Sequence, residues 1–161
     1  MLIENVIGTI KDYPVGARKI DRVMLEWFEM DKKLLRKKSE AGEEVGFRLK
    51  THLHEGDILY ADDARVLVAD ILPCELAIID VTTKKEMGRL CFELGNRHLS
   101  LAIEENQVSI PYDEPTFLYL KKLGFAVRKE DAKFSHFTVC HAHAHTHEAQ
   151  RAADEEHTHV H

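Results

Sequence analysis

Through most of the first 72 positions, apolar residues recur with a period of two, in runs too short for helices. Val23, Leu25 and Trp27 interleave with Met24, Glu26 and Phe28, and that spacing lines one face of a strand. Residues 34–38 and 44–49 flank Ser39-Glu40-Ala41-Gly42, which predicts two strands joined by a glycine-containing turn. Residues 56–60 and 65–69 add two more strands across Asp62-Asp63, and the apolar run over residues 1–8 opens the chain with another. No helical stretch with caps occurs here, so residues 1–72 are expected to form an all-β domain.

Near Cys74 the period changes. Residues 75–81 read as a buried strand. Thr83 with Glu86 three residues later predicts a capping box, and Met87, Leu90, Cys91 and Leu94 follow at i, i+3, i+4 and i+7. Gly95-Asn96 supplies a left-handed exit. Leu99, Leu101 and Ile103 alternate, Glu105-Asn106 turns, and Val108, Ile110 and Tyr112 alternate back. Asp113-Glu114-Pro115 opens a second helix with Phe117, Leu120 and Leu123 facing inward, Gly124 stops it, and residues 125–128 close with a strand. The order β-α-β-β-α-β predicts a ferredoxin-like domain over residues 73–139. Residues 140–161 are small, polar and histidine-rich, with little to bury, and are expected to be a disordered tail. The fold class is α+β.

Charge narrows the partners. A net charge of −6 and a pI near 6.0 argue against nucleic acid and anionic membranes. No uncharged apolar run approaches the ~18 residues of a membrane span. Cys74, Cys91 and Cys140 are an odd number at unrelated spacings, which is no disulfide framework and suits a reducing cytoplasm. Cys74 and Cys91 read as core; Cys140 adjoins the tail and is a candidate ligand.

Catalytic signatures are missing. There is no G-x-G-x-x-G, no phosphate-binding G-x-x-x-x-G-K and no C-x-x-C. His54-Glu55 and His147-Glu148 begin like a zincin motif, but Ile58 and Arg151 stand where its second histidine belongs. No serine or cysteine has a nucleophile's context, so the chain is not expected to be an enzyme. Histidine is the positive signal: of eleven, eight lie at or after position 136. His141, His143, His145 and His147 are spaced two apart, and His157, His159 and His161 repeat the pattern. Alternate side chains of an extended chain share a face, so neighbouring imidazoles can chelate one ion. Such ligands suit Ni(II), Cu(II) and Zn(II). His98, just past a helix exit, could present its imidazole to solvent or merely fill the helix end. His52 and His54 read as solvated turn residues.

Residues 86–98, ending in Gly95-Asn96-Arg97-His98, resemble the signature helix of the urease accessory protein UreE family. The order of Lys33-Leu34-Leu35-Arg36, residues 42–46 and Gly56-Asp57-Ile58-Leu59 is similar to that family's β-domain, and a histidine-rich C-terminus is a common family feature. The resemblance covers nearly all of residues 1–139. It implies a homodimeric cytoplasmic nickel chaperone that delivers Ni(II) to apo-urease, working with other accessory proteins including the accessory GTPase. It further implies that His98 meets its symmetry mate at a surface metal site, that His136 falls where relatives place a histidine closing that site, and that tail histidines supply further ligands. Tyr112-Asp113-Glu114 stands where some relatives carry additional histidines, so a secondary site there is not expected. The β-domain resembles a peptide-binding module and is expected to dock partners. The competing reading is a histidine-rich nickel or zinc storage or buffering protein without a dedicated client. A metal-dependent hydrolase fits poorly, because catalytic metals rest on rigid elements beside a general base.

Overall fold

A computed structural model describes residues 1–138. It is α+β, mostly strands with two helices. In the first half, β1 (Leu2–Ile3), β5 (Glu44–Arg48) and β4 (Leu34–Lys38) form one sheet in that order. β2 (Gly8–Thr9), β6 (Asp57–Ala61), β7 (Arg65–Ile71) and β3 (Lys19–Leu25) form a second, with β3 parallel to β7. Period-two alternation decides which side chains meet. Val45 and Phe47 point in while Glu44 and Arg48 point out, and they share one core with Val23, Leu25, Leu67 and Ala69 of the facing sheet. The second sheet's other face, Ile58, Val66 and Val68, is covered by Ile10, Tyr13 and Val15.

The predicted strand around Trp27 ends early. β3 stops at Leu25, and Trp27–Glu29 forms a single 3-10 turn. The Glu29 carboxylate accepts from the Glu26 N–H at 2.9 Å and pairs with Lys37. Burial pushes the Glu29 carboxyl up, but these two partners outweigh it and leave its pKa below the ordinary value. The opening run over residues 1–8 likewise pairs only at its two ends, as β1 and β2.

In the second half, β8 (Cys74–Asp80) lies between β10 (Gln107–Pro111) and β11 (Ala126–Ala132), antiparallel to both, with β9 (Ala102–Ile103) outside β10. α1 (Lys84–Asn96) follows β8, and α2 (Glu114–Lys122) follows β10. Ala77 and Ile79 face the helices, packing with Leu90, Leu94 and Leu120, whereas Leu76 and Ile78 face the other way, toward Phe134 and Trp27. Burial on both faces explains why residues 76–79 are apolar without alternation. At α1 the Thr83 hydroxyl accepts from the Glu86 N–H, but the Glu86 carboxylate returns to the N–H of Thr82 rather than that of Thr83. The capping box is therefore stretched by one residue. The Asp113 carboxylate caps α2, and Gly124 ends it at φ 87°.

Residues 133–138 bind the halves together. The Trp27 ring meets Phe134 and Phe137 edge-on at 5.2 and 5.4 Å, and those two rings stack on each other. Lys133 Nζ donates to Asp70 and Glu55 of the first half at 2.5 and 2.6 Å. β9 is shorter than the predicted 99–103 alternation because Leu101 bridges to Thr138 instead. The predicted tail, residues 140–161, lies outside the described residues, as do Cys140 and all seven of its histidines.

Candidate metal centre

His98 stands at the end of α1. The helix runs straight through Gly95 and Asn96, so neither forms the left-handed exit expected of them; Arg97 caps, and His98 itself takes φ 55°. A Cβ in that region crowds the backbone, which costs roughly 1–2 kcal/mol for ordinary residues. Histidine is among the few non-glycine types enriched there. The His98 N–H donates to the Gly95 carbonyl at 3.0 Å and the side chain is exposed.

The last turn of α1 is anchored on both sides. Leu94 is fully buried. The Arg97 guanidinium lies 4.4 Å from the centre of the Tyr119 ring, and the Tyr119 hydroxyl donates to Glu93 at 2.7 Å. That acceptor is the largest reason the Tyr119 phenol titrates above its usual value. His98 thus projects from a helix end locked to α2.

His136 is the other non-glycine residue at positive φ among the described residues, at 54°. Its surroundings differ from those of His98. It lines a cavity of about 340 Å³ between the halves, together with Asp31, His52, His54 and Glu55, over a floor that includes Met30 and Ile71. His52 Nδ1 lies 2.6 Å from Asp31. Spacing along the chain gave no sign of this cavity, because its walls come from four separate segments. The Leu101–Thr138 bridge is antiparallel, so His98 and His136 lead away from it in opposite directions. Among the described residues, no three His, Cys, Asp or Glu side chains converge as a metal cage.

The two described thiols, Cys74 and Cys91, are poor ligands. Burial raises the pKa of Cys91, and that of Cys74 with help from Glu26 and Asp131, so both hold their protons at neutral pH. An exposed imidazole on a rigid helix end, in no three-ligand cage among the described residues, offers a metal one strong ligand.

The family model for the UreE urease accessory protein N-terminal domain matches residues 3–72, and that for its C-terminal domain matches residues 75–161. The chain belongs to the UreE family. Urease accessory protein UreE of Flavobacterium johnsoniae is 38% identical over 136 residues, 80% of each chain. That of Acetivibrio thermocellus is 39% identical over 137 residues, 84% of this chain and 90% of the relative. The UreE of Bifidobacterium longum subsp. infantis is 45% identical over 145 residues, 89% of this chain and 66% of its own length. UreE proteins are named as accessories to urease, and His98 lies just past the end of α1 within the matched UreE C-terminal domain.

Proposed function

We propose that the chain is a cytoplasmic nickel metallochaperone, which hands Ni(II) to apo-urease as its metallocentre is assembled, and that it works as a homodimer. Two copies of His98, one from each protomer, hold the ion. Histidines 141, 143, 145, 147, 157, 159 and 161 complete its coordination, and Zn(II) or Cu(II) can occupy the same ligands. The second half is read as a ferredoxin-like metal-binding and dimerisation domain over residues 73–139, and the first as the docking domain over residues 1–72.

The observation that carries this reading is the backbone of His98. A conformation that favours glycine is occupied by a metal-ligating side chain, exposed, on an anchored helix end. Local strain retained at an accessible functional side chain points to a role other than packing. An open, two-imidazole site suits transfer, because a recipient's ligands can enter before the donor's leave, unlike the closed cage of a structural metal. His136, on the cavity between the halves, is assigned a secondary ligand role tested separately.

Nickel calorimetry combined with light scattering tests the proposal on the full chain, residues 1–139, His98→Ala and His136→Ala. The expected result is a dimer that keeps about one tight nickel per two chains without the tail and loses it with His98→Ala. A monomer whose binding vanishes with the tail would leave the storage reading in its place.

A further inference from the structure

β4 carries an unusual charge, and its outer edge is open along Leu34–Arg36, before Ser39 bridges to Val23 of β3. Residues 32–38 hold five cations, Lys32, Lys33, Arg36, Lys37 and Lys38, and no acid, in a chain of net charge −6. Lys37 turns inward to Glu29. Among the described residues, none of Lys33, Arg36 and Lys38 has an ion-pair partner.

The register shows which backbone groups are available. The Leu49 N–H donates to Lys33 and the Ser39 N–H to Glu43, with Leu35 opposite Phe47 and Lys37 opposite Val45 between them. Odd-numbered residues of β4 therefore bond to β5. Leu34 and Arg36 direct their N–H and C=O groups away from the sheet, and no strand pairs with them on that side among the described residues. Their side chains are also exposed, Leu34 at 72%. Inboard of Arg36, on the face of the sheet over β5, Gly46 leaves a shallow groove of about 650 Å³ between Leu2 and Arg36. The unpaired backbone groups of Leu34 and Arg36, the exposed Leu34 side chain and unpaired positive charge thus lie along one edge.

We infer that the β4 edge is a docking site for an extended acidic segment of a partner protein, which adds to the sheet as a further strand along Leu34–Arg36 and sets an apolar side chain beside Leu34. Charge complementarity selects this occupant. A second copy of the chain would bring the same basic strand against itself, and like charges across an interface are costly. Strand addition takes its affinity from backbone bonds and its specificity from alternate side chains, whereas edge lysines that only prevent aggregation would bind nothing. The inference extends the accessory role but does not depend on nickel, so its test is run without metal.

The probe is a fluorescein-labelled ten-residue peptide of alternating Glu and Val, titrated by anisotropy into the metal-free full chain. Saturable binding is expected, weakened about tenfold or more by Arg36→Glu/Lys38→Glu, since rim charges of this kind steer and orient a partner. One of two peptides N-methylated at alternate residues, each covering one edge of the strand, should also fail to bind. Circular dichroism of the variant should match the parent, because both side chains are exposed. Equal binding of both N-methylated peptides, or no effect of the double variant, would overturn strand addition at this edge. So would displacement of the peptide by phosphatidylglycerol vesicles at equivalent charge, which would make the patch a membrane contact. No binding by the parent, with binding restored by Asp154→Lys/Glu155→Lys/Glu156→Lys, would overturn it in favour of the chain's own acidic segment.

Discussion

At the scale of single residues, His98 sets stability against function. Its φ of 55° is one that glycine adopts without strain. His98→Gly should keep the helix end and raise stability by about 0.5–1 kcal/mol, strain relief being partly offset by the freer unfolded chain, while abolishing nickel binding at the proposed shared site. Thermal unfolding and calorimetry on one preparation test both halves of that statement; a destabilised variant would mean that the imidazole serves packing. Nickel affinity should also fall steeply from about pH 7.5 to about pH 5.5, because imidazole ligates only when neutral and titrates ordinarily near ~6.5. The Asp70–Lys133 pair does not confound that window. Burial raises the Asp70 carboxyl, but Lys133 and the Ile71 N–H lower it further, so its stabilisation is lost only as pH falls below the ordinary carboxylate range. Lys133, raised chiefly by Asp70 and Glu55, loses its contribution only above the ordinary lysine range. Circular dichroism at pH 5.5 should therefore remain native while nickel leaves; unfolding at that pH would assign the metal loss to the fold.

Among elements, the segment after β11 matters most. Phe134 is fully buried against Trp27 and Phe137, where the two halves meet. Phe134→Ala should cost about 3–5 kcal/mol and uncouple the halves. Trp27 is the sole tryptophan, so its fluorescence reports on this seam alone. In the variant, the fluorescence transition should precede the loss of far-UV ellipticity, and coincident transitions would show that the halves do not depend on these rings. The strands and helices of the second half were largely legible in the sequence: the α1 periodicity and the Asp113 and Gly124 signals of α2 follow from local geometry. The seam was not. Trp27 reads as the continuation of β3 because alternation runs on past Leu25, and only contact with Phe134, 107 positions later, explains why the chain turns there. The α1 exit was misplaced for a related reason. Gly95-Asn96 carries the usual stop signal, yet Leu94 packing and the Arg97–Tyr119 contact carry the helix through both residues.

For the whole molecule, the question is what completes the site. His98 was singled out by its motif, but the cavity holding His52, His54 and His136 has no sequence signal, since its walls converge only through folding. Phe92 is 67% exposed on α1, the helix that His98 follows, and Leu118 is 56% exposed on α2. Large apolar side chains left in solvent on helices beside the proposed metal site fit burial against the proposed second copy. Phe92→Glu should shift light-scattering mass toward the monomer and remove the tight nickel in parallel. A variant that stays dimeric, or becomes monomeric and keeps the ion, would separate dimerisation from metal binding.

The left-handed position of His98 also limits how the protein can drift. Of the residue types that tolerate that backbone, glycine, asparagine, aspartate and histidine, only histidine pairs the conformation with a strong nickel ligand. Mutational decay at this codon is therefore channelled toward replacements that leave the helix end as sound as before. The variants that accumulate would be abundant and well folded, yet silent in the nickel transfer proposed above, and a screen for stability or expression would score them as healthy.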